Sequence, residues 1–191
     1  SHQATEDLAI FRGMPNLTII DPCDAVDVEQ AVPAMAAHNG PVYMRLPRGQ
    51  VPVVLDEYNY TFELGKAKLL RDGKDALIIS SGFMTMRALE TVEKLRADRV
   101  DVGVLHVPTI KPLDEETIVR EAGRSGRLVI VAENHSIVGG LGEAVAGVLL
   151  RALGWPLKLV FTSAAQRHHS WITRWLIRQM DAIIATSEIS K

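Results

Sequence analysis

Apolar positions change their spacing several times along the chain, and each change predicts an element. Between Ala4 and Arg12, Leu8, Ile10 and Phe11 fall at helical spacing, with Glu6 and Asp7 in the first turn, where acids complement the helix dipole. Pro15-Asn16 breaks that helix, and the apolar run Leu17 to Ile20, bounded by Asp21-Pro22, predicts a buried strand. A second helix, capped by Asp24 or by Asp27, runs to about His38 and carries Pro33, which predicts a kink. Asn39-Gly40-Pro41 then turns the chain into a strand over Val42 to Leu46, closed by Pro47-Arg48-Gly49.

From Gln50 to Leu64 the periodicity disappears, as in a linker. Two strands follow, Ala67 to Leu70 and Ala76 to Ile79, joined by a turn at Asp72-Gly73-Lys74. Met84 to Ala97 reads as a helix, and its Met86-Leu89-Val92-Leu95 stripe, with Met84, reads as core. Val100 to Val107 is a strand, Pro112 and Asp114 open a helix to about Gly123, and Leu128 to Ala132 is another strand. A loop over Glu133 to Gly140 leads into a helix from Leu141 to Leu153. Strands alternating with helices predict an α/β fold with a mostly parallel sheet flanked by helices.

Composition narrows the function classes. A chain of 191 residues, 47% hydrophobic and 23% charged, suits one soluble domain or one and a half. A net charge of −2 supplies no basic field, which argues against nucleic acid as a partner. The single cysteine, Cys23, excludes an intrachain disulfide and fits a reducing compartment, so a cytoplasmic location is expected. It reads as a small packed residue, with no zinc-like spacing around it. No apolar run approaches the roughly 20 residues that span a bilayer, and no basic region with an apolar core opens the chain, so neither membrane nor signal peptide is expected. A start at Ser1 rather than Met reads as a piece of a longer chain.

Several clusters could carry chemistry. Gly139-Gly140-Leu141-Gly142 at a helix start could offer free amides to an anion, or could serve a tight turn and close helix packing. Glu133 and His135 look like an acid/base pair, but read rather as loop structure or subunit contacts. Arg45 and Arg48, three apart on a strand, point to opposite faces unless Pro47 reorients them. His168-His169 is a poor metal pair, because adjacent residues on a helix project about 100° apart.

Two stretches carry a family resemblance. Ser1-His2-Gln3, Asp7-Leu8-Ala9, Pro15-Asn16-Leu17, Asp21-Pro22-Cys23-Asp24 and Met44-Arg45-Leu46-Pro47-Arg48-Gly49 together resemble the end of the pyrimidine-binding domain of transketolases. Val131 to Val145, containing Glu133-Asn134-His135-Ser136, is similar to the C-terminal domain of that family, particularly in bacterial forms split into two chains. The expected organisation is therefore residues 1–50 from the pyrimidine-binding domain, a linker over 51–64, the C-terminal domain over 65–159 and an atypical tail over 160–191.

The resemblance implies transfer of a two-carbon ketol unit between sugar phosphates on thiamine diphosphate, held with magnesium in the complete enzyme. It assigns His2 a catalytic place beside the cofactor and a contact with substrate oxygens, although Ser1 replaces the family's Thr before it. It assigns Arg48 to the substrate phosphate, where a planar guanidinium fork fits the oxygens. The family's activating glutamate lies upstream of Ser1, and no Gly-Asp-Gly motif occurs here, so the chain alone is expected to hold no cofactor or metal and to be inactive. A homodimer, or a heterodimer with a cofactor-binding transketolase subunit, is implied. The alternatives are the beta subunit of a 2-oxo-acid dehydrogenase, a deoxyxylulose-phosphate synthase, or a dimerisation scaffold without activity; Asn134-His135-Ser136 favours transketolase over the first two.

The tail breaks the pattern. Residues 160–191 hold four Lys or Arg against two acids, a charge of +2, and two of the three tryptophans. Trp171 to Ser187 is similar to a segment of GT-B glycosyltransferases. Foreign sequence joined by truncation or fusion, a divergent transketolase ending, and a basic amphipathic helix for a membrane surface or partner are the three readings.

Overall fold

The computed structural model describes residues 4–124, 126–153 and, for the backbone alone, 159–163. His2, His168, His169 and the Trp171 to Ser187 segment lie outside the described residues. The chain opens with α1 (Asp7–Arg12), β1 (Thr18–Ile20), α2 (Ala25–Ala37) and β2 (Val42–Met44). Asp24 is the residue that caps α2, its carboxylate accepting from the amides of Val26 and Asp27. The helix continues through Pro33.

The stretch expected as a linker is packed rather than loose. It forms a 3₁₀ turn over Leu55–Tyr58, and Leu55, Tyr60 and Phe62 are buried against α2 and β1 in one apolar cluster. Both oxygens of Asp24 contribute, since the oxygen not used for capping accepts from the amides of Val54 and Leu55 at 2.7 and 2.9 Å.

The larger unit contains β3 (Lys68–Arg71), β4 (Ala76–Ser80), α3 (Phe83–Ala97), β5 (Val102–His106), β6 (Thr109–Lys111), α4 (Glu115–Ala122), β7 (Leu128–Glu133), α5 (Leu141–Leu153) and β8 (Leu159–Ser163). Five of the strands form one sheet in the order β3-β5-β4-β7-β8, parallel throughout except for the antiparallel edge β3. This is an α/β architecture with a mostly parallel sheet. Alternate residues of each strand face opposite layers. Leu77, Ile79, Leu105, Val129 and Val131 pack under α4 and α5, whereas Ala76, Ile78, Val102, Val104 and Ala132 pack under α3.

A second sheet has the order β2-β1-β6, with β1 and β2 parallel and β6 antiparallel to β1. The pattern of apolar positions did not predict β6. Three residues between Pro108 and Pro112 leave no periodicity to read, and the strand exists because Ile19 and Ile20 offer it an edge. Leu8 and Ile19 enter the same core as the large sheet, so the two units share one interior.

Candidate functional site

The carboxyl ends of β1, β2, β4 and β7 converge, and in open parallel sheets this is where ligand chemistry is usually sited. Asp21 follows β1, and its backbone N–H donates to the Pro108 carbonyl at 2.8 Å while its own carbonyl accepts from Gly82 N at 3.0 Å. Gly82 has φ +54°, and a Cβ there would lie 2.7 Å from the Asp21 carboxylate oxygens. Glycine is required on both counts. The close approach lets Ser81 donate to Asp21 Oδ2 at 2.7 Å. Burial is the main influence on Asp21 and pushes its carboxyl upward, with Arg45 and the Ser81 hydrogen bond opposing.

Arg45, just past β2, is enclosed at the centre of this region. Its Nε is 2.9 Å from Asp7 Oδ2, and one terminal nitrogen lies 3.3 Å from Asp21 Oδ1. The other donates to the carbonyls of Ala4 and Asn134 at 3.3 and 3.1 Å. Tyr43 donates its hydroxyl to Asp7 Oδ2 at 2.8 Å, and burial followed by that hydrogen bond raises the phenol to about 12. Arg45 is thus a half-buried crosslink with two carboxylates and two carbonyls around it.

Arg48 stands apart. It is exposed, in the turn beyond the strand, and among the described residues it makes no hydrogen bond or ion pair. Leu46, two positions before it, is also exposed, at 65%.

Glu133 and His135 serve local structure. Glu133 is 1% exposed, and its two oxygens accept from the amides of Leu141 and Gly142 at 2.6 and 3.0 Å, capping α5. Desolvation dominates and lifts the carboxyl to about 7 against the pull of those two amides. The glycines of the loop admit this cap, because a Cβ on Gly140 would overlap the Glu133 carboxylate. The amides of Leu141 and Gly142, two of those that could have met an anion, are therefore already occupied.

His135 is fully buried. Its Nε2 accepts from the amides of Leu8 and Ala9 at 3.1 and 3.4 Å, and its Nδ1 donates to the Ser136 carbonyl at 2.6 Å. That pattern places the ring proton on Nδ1.

Sequence reasoning missed a second buried group. Asp27 Oδ2 accepts from His106 Nε2 at 2.9 Å and from Cys23 N at 2.8 Å, while Oδ1 accepts from the Tyr60 hydroxyl at 2.8 Å. His106 Nδ1 then meets Thr85 Oγ1 at 2.8 Å, and Thr85 meets Ser80 Oγ at 3.0 Å. Burial drives both the Tyr60 phenol and the Cys23 thiol upward, so both stay protonated. Only the polar His106 inside an apolar strand could have signalled this cluster.

At the converging strand ends the described carboxylates have protein partners, and one oxygen, Asp7 Oδ1, is buried without a hydrogen-bond partner among the described residues. Asp7 and Asp21 are engaged by Arg45, and Glu133 by α5. Among the described residues no three His, Cys, Asp or Glu side chains cluster as metal ligands, and no helix is long and apolar enough to cross a membrane.

Two joined α/β units with buried polar groups at converging strand ends define the class of the molecule, and comparison with known proteins supplies the family. Residues 1–54 match the transketolase pyrimidine-binding domain, and residues 65–170 match the transketolase C-terminal domain. The chain belongs to the transketolase family. It is 75% identical over 152 residues to an uncharacterized transketolase family protein of Sinorhizobium fredii, covering 80% of this chain and 44% of that one. It is 42% identical over 160 residues to the 6-deoxy-6-sulfo-D-fructose transketolase subunit SqwH of a Clostridium species, covering 84% and 49% respectively. A split-gene transketolase, solved as an inactive beta4 tetramer, superimposes with a TM-score of 0.79 at 37% identity, over 93% of this chain and 56% of that one. The chain spans about half the length of the curated relatives it matches.

Proposed function

We propose that the chain is the C-terminal part of a thiamine-diphosphate-dependent transketolase, moving a two-carbon ketol unit between sugar phosphates together with a cofactor-binding subunit in the cytoplasm. The observation that carries this reading is the likeness, over 93% of the chain, to a split-gene transketolase. Thiamine diphosphate supplies the electron sink when bound. Magnesium and the diphosphate are held by the partner, a reading supported by the engagement of Asp7 and Asp21 with Arg45 and of Glu133 with α5.

Arg48 binds the substrate phosphate and His2 works beside the cofactor. Support for Arg48 comes from its contrast with Arg45: an exposed guanidinium without a partner among the described residues is available to an anion, whereas one between two carboxylates is not. The domain organisation is 1–50, 51–64, 65–159 and a tail over 160–191. A second reading, a scaffold without activity of its own, draws on the inactive state of the beta4 tetramer. Assaying ketol transfer by the complete subunit that carries this chain, mixed with a cofactor-binding transketolase subunit, thiamine diphosphate and magnesium, separates the two. Transfer supports the first; assembly without transfer across a panel of phosphorylated ketoses supports the second.

A further inference from the structure

The helix α1 cannot hold itself in place. It has six residues, its N-cap Glu6 makes no side-chain capping bond, and isolated helices shorter than about 12 residues are marginal in water. Its first-turn amides, Leu8 and Ala9, are those that an N-cap side chain would normally satisfy. Here the acceptor is His135 Nε2, on the loop after β7 and 127 positions from Leu8.

The same loop is tied to α1, or to the residues that lead into it, at four further points. Ser136 N donates to the Thr5 carbonyl at 2.9 Å. Arg45 ties the Ala4 carbonyl to that of Asn134. Arg12 reaches back to the carbonyls of Gly139 and Gly140 at 2.6 and 2.9 Å. Gly139 lies so close to Ala9 that a Cβ would be 2.5 Å from the Ala9 side chain. Both ends of the helix, and the residues leading into it, are therefore placed by residues 134–140.

We infer that His135 is a positioning residue for the transfer reaction, setting α1 and the segment that enters it, two residues after His2. The inference rests on the transketolase reading. His135 does not act as an acid or base itself: it is fully buried, and its Nε2 lone pair already serves two amides. Its influence is geometric, and a misplacement of about 1 Å in a reacting group can lower a rate by up to about a hundredfold.

The test uses the complete two-subunit enzyme with fructose 6-phosphate as donor and ribose 5-phosphate as acceptor. In His135→Ala, kcat falls roughly ten- to a hundredfold while KM for ribose 5-phosphate changes by less than about threefold. His135→Gln, whose Oε1 accepts from the same amides, restores kcat to within about threefold. Amide exchange at Leu8 and Ala9 accelerates in the Ala variant and not in the Gln variant, with exchange in β4 and β7 unchanged. A folded Ala variant with accelerated exchange at Leu8 and Ala9 but wild-type kcat overturns the inference, as does a Gln variant that fails to restore kcat. If the Ala variant does not fold, Arg12→Leu releases the other end of the helix, and wild-type kcat in that variant overturns it equally. A wild-type complex inactive on these substrates and across a panel of phosphorylated ketoses and aldoses brings down the transketolase reading, and the inference with it, before any variant is compared.

Discussion

Asp27 Oδ2 stands 2.9 Å from Nε2 of His106, 79 positions away in sequence, and both side chains are fully enclosed. The contact joins α2 of the first unit to β5 of the second, and Tyr60 on the connecting stretch donates to the same carboxylate. Removing the carboxylate strands three buried donors at once: the Cys23 amide, the Tyr60 hydroxyl and His106 Nε2. Asp27→Ala is therefore expected to lose about 3–5 kcal/mol of unfolding free energy, read from urea denaturation. A loss below about 1 kcal/mol contradicts the account of this group as the weld between units.

Glu133 gives the stability a pH dependence. Its folded carboxyl lies near 7 against an ordinary 4.5, so the folded state binds this proton more tightly than the unfolded one. The stability it contributes is complete below about pH 4.5, falls as the pH rises toward 7, and levels off above that. The size of the fall is on the order of 2–3 kcal/mol. Glu133→Gln cannot ionise and turns an N–H toward one of the α5 amides. It is expected to be less stable at pH 5 and to lack this fall, as measured by urea midpoints between pH 4.5 and 8. Identical pH profiles for the two proteins contradict the assignment.

How far the sequence discloses these features depends on how local they are. The turn at Asp72-Gly73 and the stripe Met86-Leu89-Val92 depend on neighbours a few residues away, so spacing alone reveals them, whereas for the cap of α2 spacing leaves Asp24 and Asp27 both open. The strand Thr109–Lys111 depends on Ile19 and Ile20, about 90 positions distant, and spacing cannot report that. At the strand ends, residue type was visible but role was not. Glu133 and His135 resemble a catalytic pair in one dimension, yet in three each caps a different helix. Arg45 and Arg48 look alike in sequence, and it is the carboxylates of Asp7 and Asp21 that distinguish them.

Gly82→Ala is expected to disturb the same corner from the other side. Its backbone lies in the left-handed region, and the new Cβ would press on the Asp21 carboxylate. A loss of roughly 2–3 kcal/mol in stability is expected. The thermal midpoint read by circular dichroism checks it, and an unchanged midpoint contradicts the close approach.

Arg48→Ala is expected to leave stability within about 0.5 kcal/mol of wild type, because the side chain is exposed and unengaged. In the complete enzyme it raises KM for phosphorylated acceptors roughly ten- to a hundredfold with little change in kcat, the signature of lost phosphate binding. Steady-state kinetics with a phosphorylated aldose and its unphosphorylated counterpart check this. An equal effect on both removes Arg48 from the phosphate.

The central claim is that this chain is the C-terminal part of a transketolase subunit that works only together with a cofactor-binding subunit. Its most direct measurement is ketol transfer from a phosphorylated ketose to a phosphorylated aldose, with thiamine diphosphate and magnesium present. Three samples are compared: the complete subunit that carries this chain, a cofactor-binding transketolase subunit alone, and the two mixed. The account predicts transfer in the mixture and none in either single sample. Transfer by the complete subunit that carries this chain alone, or a mixed complex that assembles and transfers nothing, would contradict it.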